Sequence, residues 1–101
     1  MRGTLITIAG GALLLASPAV VQPGGPTAQA MAQTCYVCHG PPAGRSAPPI
    51  PTIARVPADL LRIRMMEFKT EQRPSTVMAR IAKGYSDEQI TAISDYLASL
   101  K

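Results

Sequence analysis

Cys35-Tyr36-Val37-Cys38-His39 is the stretch on which the reading of this chain turns. Two cysteines three apart share one face of a helical turn. The next residue, His39, can then turn its imidazole toward whatever the sulfurs hold. A disulfide between such close neighbours closes a tiny loop and stabilises little. A zinc site wants about four N or S ligands, and the chain offers two Cys and a single His. A thioredoxin-like redox pair expects a βαβ setting, and no segment here alternates as a strand. What remains is C-x-x-C-H as the attachment pattern of a c-type haem. Both sulfurs reach the vinyl groups on one porphyrin edge, and His39 is one iron ligand.

The rest of the chain suits a small domain in need of such a group. Its 101 residues are 47% hydrophobic but only 4% aromatic, with no Trp. A domain of this size buries little surface and usually needs a staple or a cofactor. Arg2 and the apolar run LITIAGGALLLA at 5–16 read as an export signal. The run is too short to span a bilayer, which takes about 20 apolar residues, so no stable membrane span is expected after processing. Ser17-Pro18-Ala19 and Ala28-Gln29-Ala30 both offer cleavage sites. The first leaves intact a helix that Pro26 can start. The expected organisation is a signal peptide over 1–19, with an alternative end at 30, a flexible lead over 20–25 and one domain over 26–101. Export also matches the attachment motif, because haem is joined outside the cytoplasm, here in the periplasm.

Charge argues against nucleic acid as a partner. The formal charge is +4. Losing Arg2 lowers it to +3, and two haem propionates lower it to about +1. The positive residues are scattered and not interleaved with aromatics.

The helices follow from punctuation and periodicity. Pro26 to His39 suits a helix that ends at the motif. Residues 40–57 hold Pro41, Pro42, Pro48, Pro49, Pro51 and Pro57, so they form an ordered loop and not helix or central strand. Residues 58–70 (ADLLRIRMMEFKT) place Leu61, Met65 and Phe68 on one face. Residues 75–83 make a short helix closed by Gly84 at C′. Ser86 and Gln89 form a capping box, followed by an apolar stripe of Ile90, Ile93, Leu97 and Leu100. The fold class is all-α: about four short helices around one covalent haem, with a Pro-rich loop.

With no second His, the sixth iron ligand falls to a Met, a Lys, the chain terminus or water. Met31 lies too near the motif in sequence to cross the ring. Met65 and Met66 sit in an amphipathic helix, where Met usually fills core gaps. Met78 follows the break at Pro74-Ser75-Thr76 and is the favoured ligand, with Met65 and Met66 as alternatives.

This order of elements resembles class I cytochrome c. Four stretches are similar to the cytochrome subunit of flavocytochrome c sulfide dehydrogenases: PTAQAMAQTCYVCHG at 26–40, PPIPTIA at 48–54, MMEFKTEQRP at 65–74 and, above all, STVMARIAKGYSDEQI at 75–90. The resemblance implies one haem c, since there is one motif, and places the family's axial Met on Met78. It implies that the Pro48 carbonyl accepts a hydrogen bond from the second ring nitrogen of His39, although Ala47 stands where the family often has Gly. It further implies an FAD-containing flavoprotein partner that oxidises sulfide, with this chain as a non-catalytic, electron-accepting subunit that passes electrons to a downstream acceptor. Two other readings differ in class. One is a free shuttle to a terminal oxidase or reductase, docking through basic residues such as Arg62, Arg80 and Lys83. The other is a catalytic or gas-sensing haem, which needs an open iron.

Overall fold

The computed structural model describes residues 25–42, 44 and 46–100. The expected signal peptide and nearly all of the lead lie outside them. Four helices are found among the described residues and no strand: α1 (Ala28–His39), α2 (Ala58–Lys69), α3 (Met78–Lys83) and α4 (Asp87–Ser99). None is long and apolar enough to cross a membrane. The all-α expectation holds, and the differences lie at helix ends.

α1 starts later than Pro26. Thr27 is extended and its hydroxyl accepts from Ala30 N at 3.2 Å. A side-chain cap of this kind is worth about 1 kcal/mol, and it leaves Pro26 outside the helix. α3 also starts late, at Met78 in place of Ser75. Ser75 accepts from Ala79 N at 3.0 Å, but the β-branched pair Thr76 and Val77 stays out of the helix, and Val77 caps it without a side-chain bond. Gly84 is the C-cap itself, in right-handed conformation at φ −74°, so no left-handed C′ glycine is used here.

α2 ends as a Schellman motif. Glu71 N–H donates to Phe68 O at 3.1 Å and Gln72 N–H to Glu67 O at 2.8 Å. Glu71 occupies the left-handed position at φ 60°, where glycine would be at ease. Its carboxylate pairs with Lys83 at 3.1 Å, which links the end of α2 to the end of α3. α4 has the capping box that Ser86 and Gln89 lead one to expect: Gln89 N to Ser86 Oγ is 3.1 Å and Ser86 N to Gln89 Oε1 is 2.9 Å.

α1 packs on α4, and α2 packs on both α3 and α4. The core is the point where three helices meet: Met31 and Ala32 of α1, Leu61 of α2, Ile93 and Leu97 of α4. Burial of each large aliphatic there is worth roughly 1.5–3 kcal/mol. Ala32 is fully buried; its small side chain lets α1 approach closely. The α4 stripe is buried at Ile90, Ile93 and Leu97, with Leu100 partly covered. On α2 only Leu61 is buried, while Met65 and Phe68 are half-buried. The Arg73 guanidinium lies 6.0 Å from the Phe68 ring centre and covers that ring.

Candidate haem site

The last turn of α1 brings Cys35, Cys38 and His39 together. Cys35 is half-buried, Cys38 is exposed, and both are free thiols. Burial pushes the Cys35 thiol up from its ordinary value, a hydrogen bond with Thr34 opposing it in part. Val37, between the two, is 86% exposed. The motif's helical face therefore divides: Tyr36 packs against the core, Val37 faces out, and the thiols flank them. Gly40 follows at φ 78° with its N–H on Tyr36 O at 3.0 Å. That conformation suits glycine and lets the chain leave the helix immediately after His39.

His39 Nδ1 lies 2.6 Å from Pro51 O. A carbonyl only accepts, so Nδ1 carries a proton, and in the neutral ring it is Nε2 that keeps the lone pair. An imidazole in this tautomer, oriented through its other nitrogen, is the form that ligates a metal. The expected partner was Pro48; the structure places the Pro51 carbonyl there, and Pro48 is exposed. The cause is the folding of the loop on itself. Ile50 N donates to Ala47 O at 3.0 Å. The Ser46 hydroxyl bonds to Ile50 O and meets Thr52 Oγ1 at 3.2 Å. These contacts carry residues 47–50 around a turn and present the next carbonyl, that of Pro51, to the ring. The run of prolines announced a stiff loop, but nothing in it marked which carbonyl would point inward. A cavity of about 600 Å³ opens in the same loop, lined by Ser46, Pro48, Pro49 and Arg55 among others, but by none of Cys35, Cys38, His39 and Met78.

Met78 is the first residue of α3 and is half-buried. Met31 is taken up by the core, at 6% exposure. Met65 and Met66 are half-buried on α2. Sequence reasoning missed Thr34, Lys69 and Tyr85. Tyr85 O accepts from Lys69 Nζ at 2.8 Å, and its hydroxyl is 3.1 Å from Thr34 Oγ1. Contacts between residues 51 apart in sequence leave no local signature.

The residues fit a covalent haem by their chemistry. Two free thiols stand on one helical turn beside an imidazole with a bare Nε2. Large apolar side chains remain exposed on the loop, α2 and α3: Ile50, Leu60, Ile63, Val77 and Ile81. A flat apolar ring gives such side chains something to pack on. A bare metal ion has no comparable site: among the described residues no three His, Cys, Asp or Glu side chains cluster to hold one. The Tyr36 hydroxyl is buried without a hydrogen-bond partner. Burial first, and then neighbouring Tyr96 and Cys35, hold its pKa above the usual value.

Comparison with known proteins agrees with this geometry. The family model of cytochrome c matches residues 26–101. The chain is 35% identical over 85 residues to the cytochrome subunit of sulfide dehydrogenase from Chlorobaculum tepidum, covering 84% of this chain and 76% of that one. It is 33% identical over 102 residues to the thiosulfate dehydrogenase electron acceptor of Thiomonas intermedia, covering all of this chain but 45% of that protein.

Proposed function

This chain belongs to the cytochrome c family, an electron-transfer protein with one covalent haem c, and we propose that it is the periplasmic, electron-accepting cytochrome subunit of a sulfide-oxidising flavoprotein complex. Cys35 and Cys38 hold the haem by thioethers, His39 ligates the iron through Nε2, and Met78 takes the sixth position. The haem supplies a one-electron iron couple.

The observation that carries the site assignment is the bond from His39 Nδ1 to Pro51 O at 2.6 Å. It fixes the tautomer, orients the ring through Nδ1 and makes the imidazole a better donor to the metal. Met78 adds a soft thioether, which favours the reduced state and raises the potential. Two protein ligands leave no position for a substrate, so the chain's own task is to hold, tune and shield a centre that others reduce and oxidise. The choice of partner is supported by the Chlorobaculum tepidum relative, a subunit of sulfide dehydrogenase, and by the likeness around Met78. The partner is an FAD-containing flavoprotein, and a further acceptor lies downstream. Export is supported by the apolar leader, and cleavage near Ala19 keeps the Thr27 cap of α1 in the mature chain.

The Thiomonas intermedia relative, an electron acceptor of thiosulfate dehydrogenase, favours a second reading in which a different sulfur-compound dehydrogenase is the donor to a freely diffusing cytochrome. Isolation from the native periplasm separates the two. A haem–flavin complex whose haem is reduced on adding sulfide is the expected result. A monomer that is reduced by thiosulfate dehydrogenase, and not through any flavoprotein, would overturn the first reading.

A further inference from the structure

The haem-attachment turn is held at both ends by long-range hydrogen bonds. At its C-terminal end His39 bonds to Pro51 O. At its N-terminal end Thr34, the residue before Cys35, meets the Tyr85 hydroxyl at 3.1 Å. The direction of that bond follows from the count of protons. The Thr34 hydroxyl donates its one proton to Met31 O at 2.7 Å, so it accepts from Tyr85. Among the described residues this is the hydrogen bond that joins α1 to the half of the chain that carries Met78.

Tyr85 is tied on its other side as well. Its carbonyl accepts from Lys69 Nζ at 2.8 Å, and the same ammonium reaches Asp87 Oδ1 at 2.7 Å. Lys69 is the last residue of α2 and Asp87 the first of α4. The Tyr85 side chain packs against the core cluster. One half-buried residue thus links α1, α2 and the head of α4, and only Gly84 separates it from α3.

We propose that Tyr85, with Thr34 and Lys69 as its partners, is a positioning residue that holds α3, and Met78 with it, in register with the helix that carries Cys35, Cys38 and His39. The proposal rests on the reading of Met78 as the sixth iron ligand. A ligand far along the chain from its covalent anchor stays bound only as well as its segment is held. Loosening the segment raises the fraction of molecules in which the sixth position is open. A small competing ligand then binds more tightly in proportion to that fraction.

Imidazole binding to the ferric holoprotein reads that fraction directly. Tyr85→Phe keeps the ring and removes the hydroxyl; Thr34→Val keeps the shape and removes the acceptor. Each is expected to tighten imidazole binding about fivefold, the effect of one ordinary net hydrogen bond. The double variant should tighten it no further than Thr34→Val alone, because that substitution already removes the bond that Tyr85→Phe removes. Ser86→Ala, which breaks the α4 capping box, should lower the melting temperature and leave imidazole affinity unchanged. Wild-type affinity in Tyr85→Phe, or an equal shift in Ser86→Ala, overturns the proposal. Met78→Ala separates the two layers of the argument. Should it bind imidazole no better than wild type, the ligand assignment fails. Should it bind far more tightly while Tyr85→Phe is unaltered, the positioning role alone fails.

Discussion

The loop over 40–57, which meets His39, and the segment over 70–86, which carries Met78, are built differently. The first is held by its own backbone and short side chains: Ser46 to Ile50 O and Thr52, Ile50 N to Ala47 O. It touches His39 through a main-chain carbonyl, which a substitution at position 51 would not remove. The second is held by long charged side chains from α2 and the turn that follows it: Glu67 to Arg73, Lys69 to Tyr85 O, Glu71 to Lys83. In the proposed ligation the contrast follows from where the ligands would lie. His39 adjoins Cys38, so a thioether there would already place it and the loop would only orient the ring. Met78 has no such anchor nearby and would be placed by tertiary contacts alone. Surface ion pairs are individually weak and screened by salt. The Met78 side should therefore be the first to give way.

The harshest way to break the comparison is to remove the covalent end. Replacing Cys35 and Cys38 together by Ala should leave no haem resistant to acidified-solvent extraction. The chain should then lose cooperative thermal unfolding, because a core of a few side chains is small support for a domain of this size. Covalent haem retained in that double variant would refute the attachment assignment outright.

Next in size is the far ligand. Met78→Ala should keep the extraction-resistant haem, convert the ferric spectrum to that of an open or water-ligated iron, and lower the potential, since the soft thioether no longer favours the ferrous state. An unchanged ferric spectrum would return the assignment to Met65 or Met66. Far tighter ligand binding in this variant than in the wild type would also dispose of the gas-sensing reading, which requires an open iron from the outset.

The same contrast explains what the sequence disclosed. The attachment turn was legible because its chemistry is local: two sulfurs and an imidazole within five consecutive residues. The capping box at Ser86 and the stripe through Ile90, Ile93 and Leu97 were legible for the same reason. The Pro51 carbonyl was not, because every residue of a proline-rich loop has a carbonyl and only the fold of Ser46 onto Ile50 and Thr52 selects one. α3 starts at Met78, and not directly after the break at Pro74, because the β-branched pair Thr76 and Val77 stays out of the helix, while the Ser75 hydroxyl serves Ala79 from outside it. Tyr85 carries no local signal, since its partners Thr34 and Lys69 lie on α1 and α2.

A milder change sharpens the contrast from the loop side. Ser46→Ala removes the hydroxyl contacts to Ile50 O and Thr52, at a cost of about 1–2 kcal/mol in denaturant unfolding for the hydrogen bonds lost. It should lower stability without altering imidazole affinity at the sixth position, because it loosens only what orients His39. A tightening of imidazole binding as large as that of Tyr85→Phe would mean that the two segments are not independent.

The smallest effect expected is that of acid on Glu67. Its carboxylate accepts from Arg73 Nε at 2.8 Å and from Arg64 at 2.9 Å, and these bonds, Arg73 first, hold its pKa below the ordinary value of 4.5. A carboxyl depressed in the folded state contributes stability that is fully present above its unfolded pKa and is lost as pH falls through the folded one. The turn that Arg73 pins should thus be intact at neutral pH and loosen only below about pH 4.5. Glu67→Gln should show modestly tighter imidazole binding than wild type at neutral pH and low salt. The two proteins should converge as the pH falls below that range, or as salt screens the pair. Coincident affinities at neutral pH and low salt would show that the Arg73 contact shapes the turn without restraining Met78, and would leave Tyr85 as the side chain that carries the restraint.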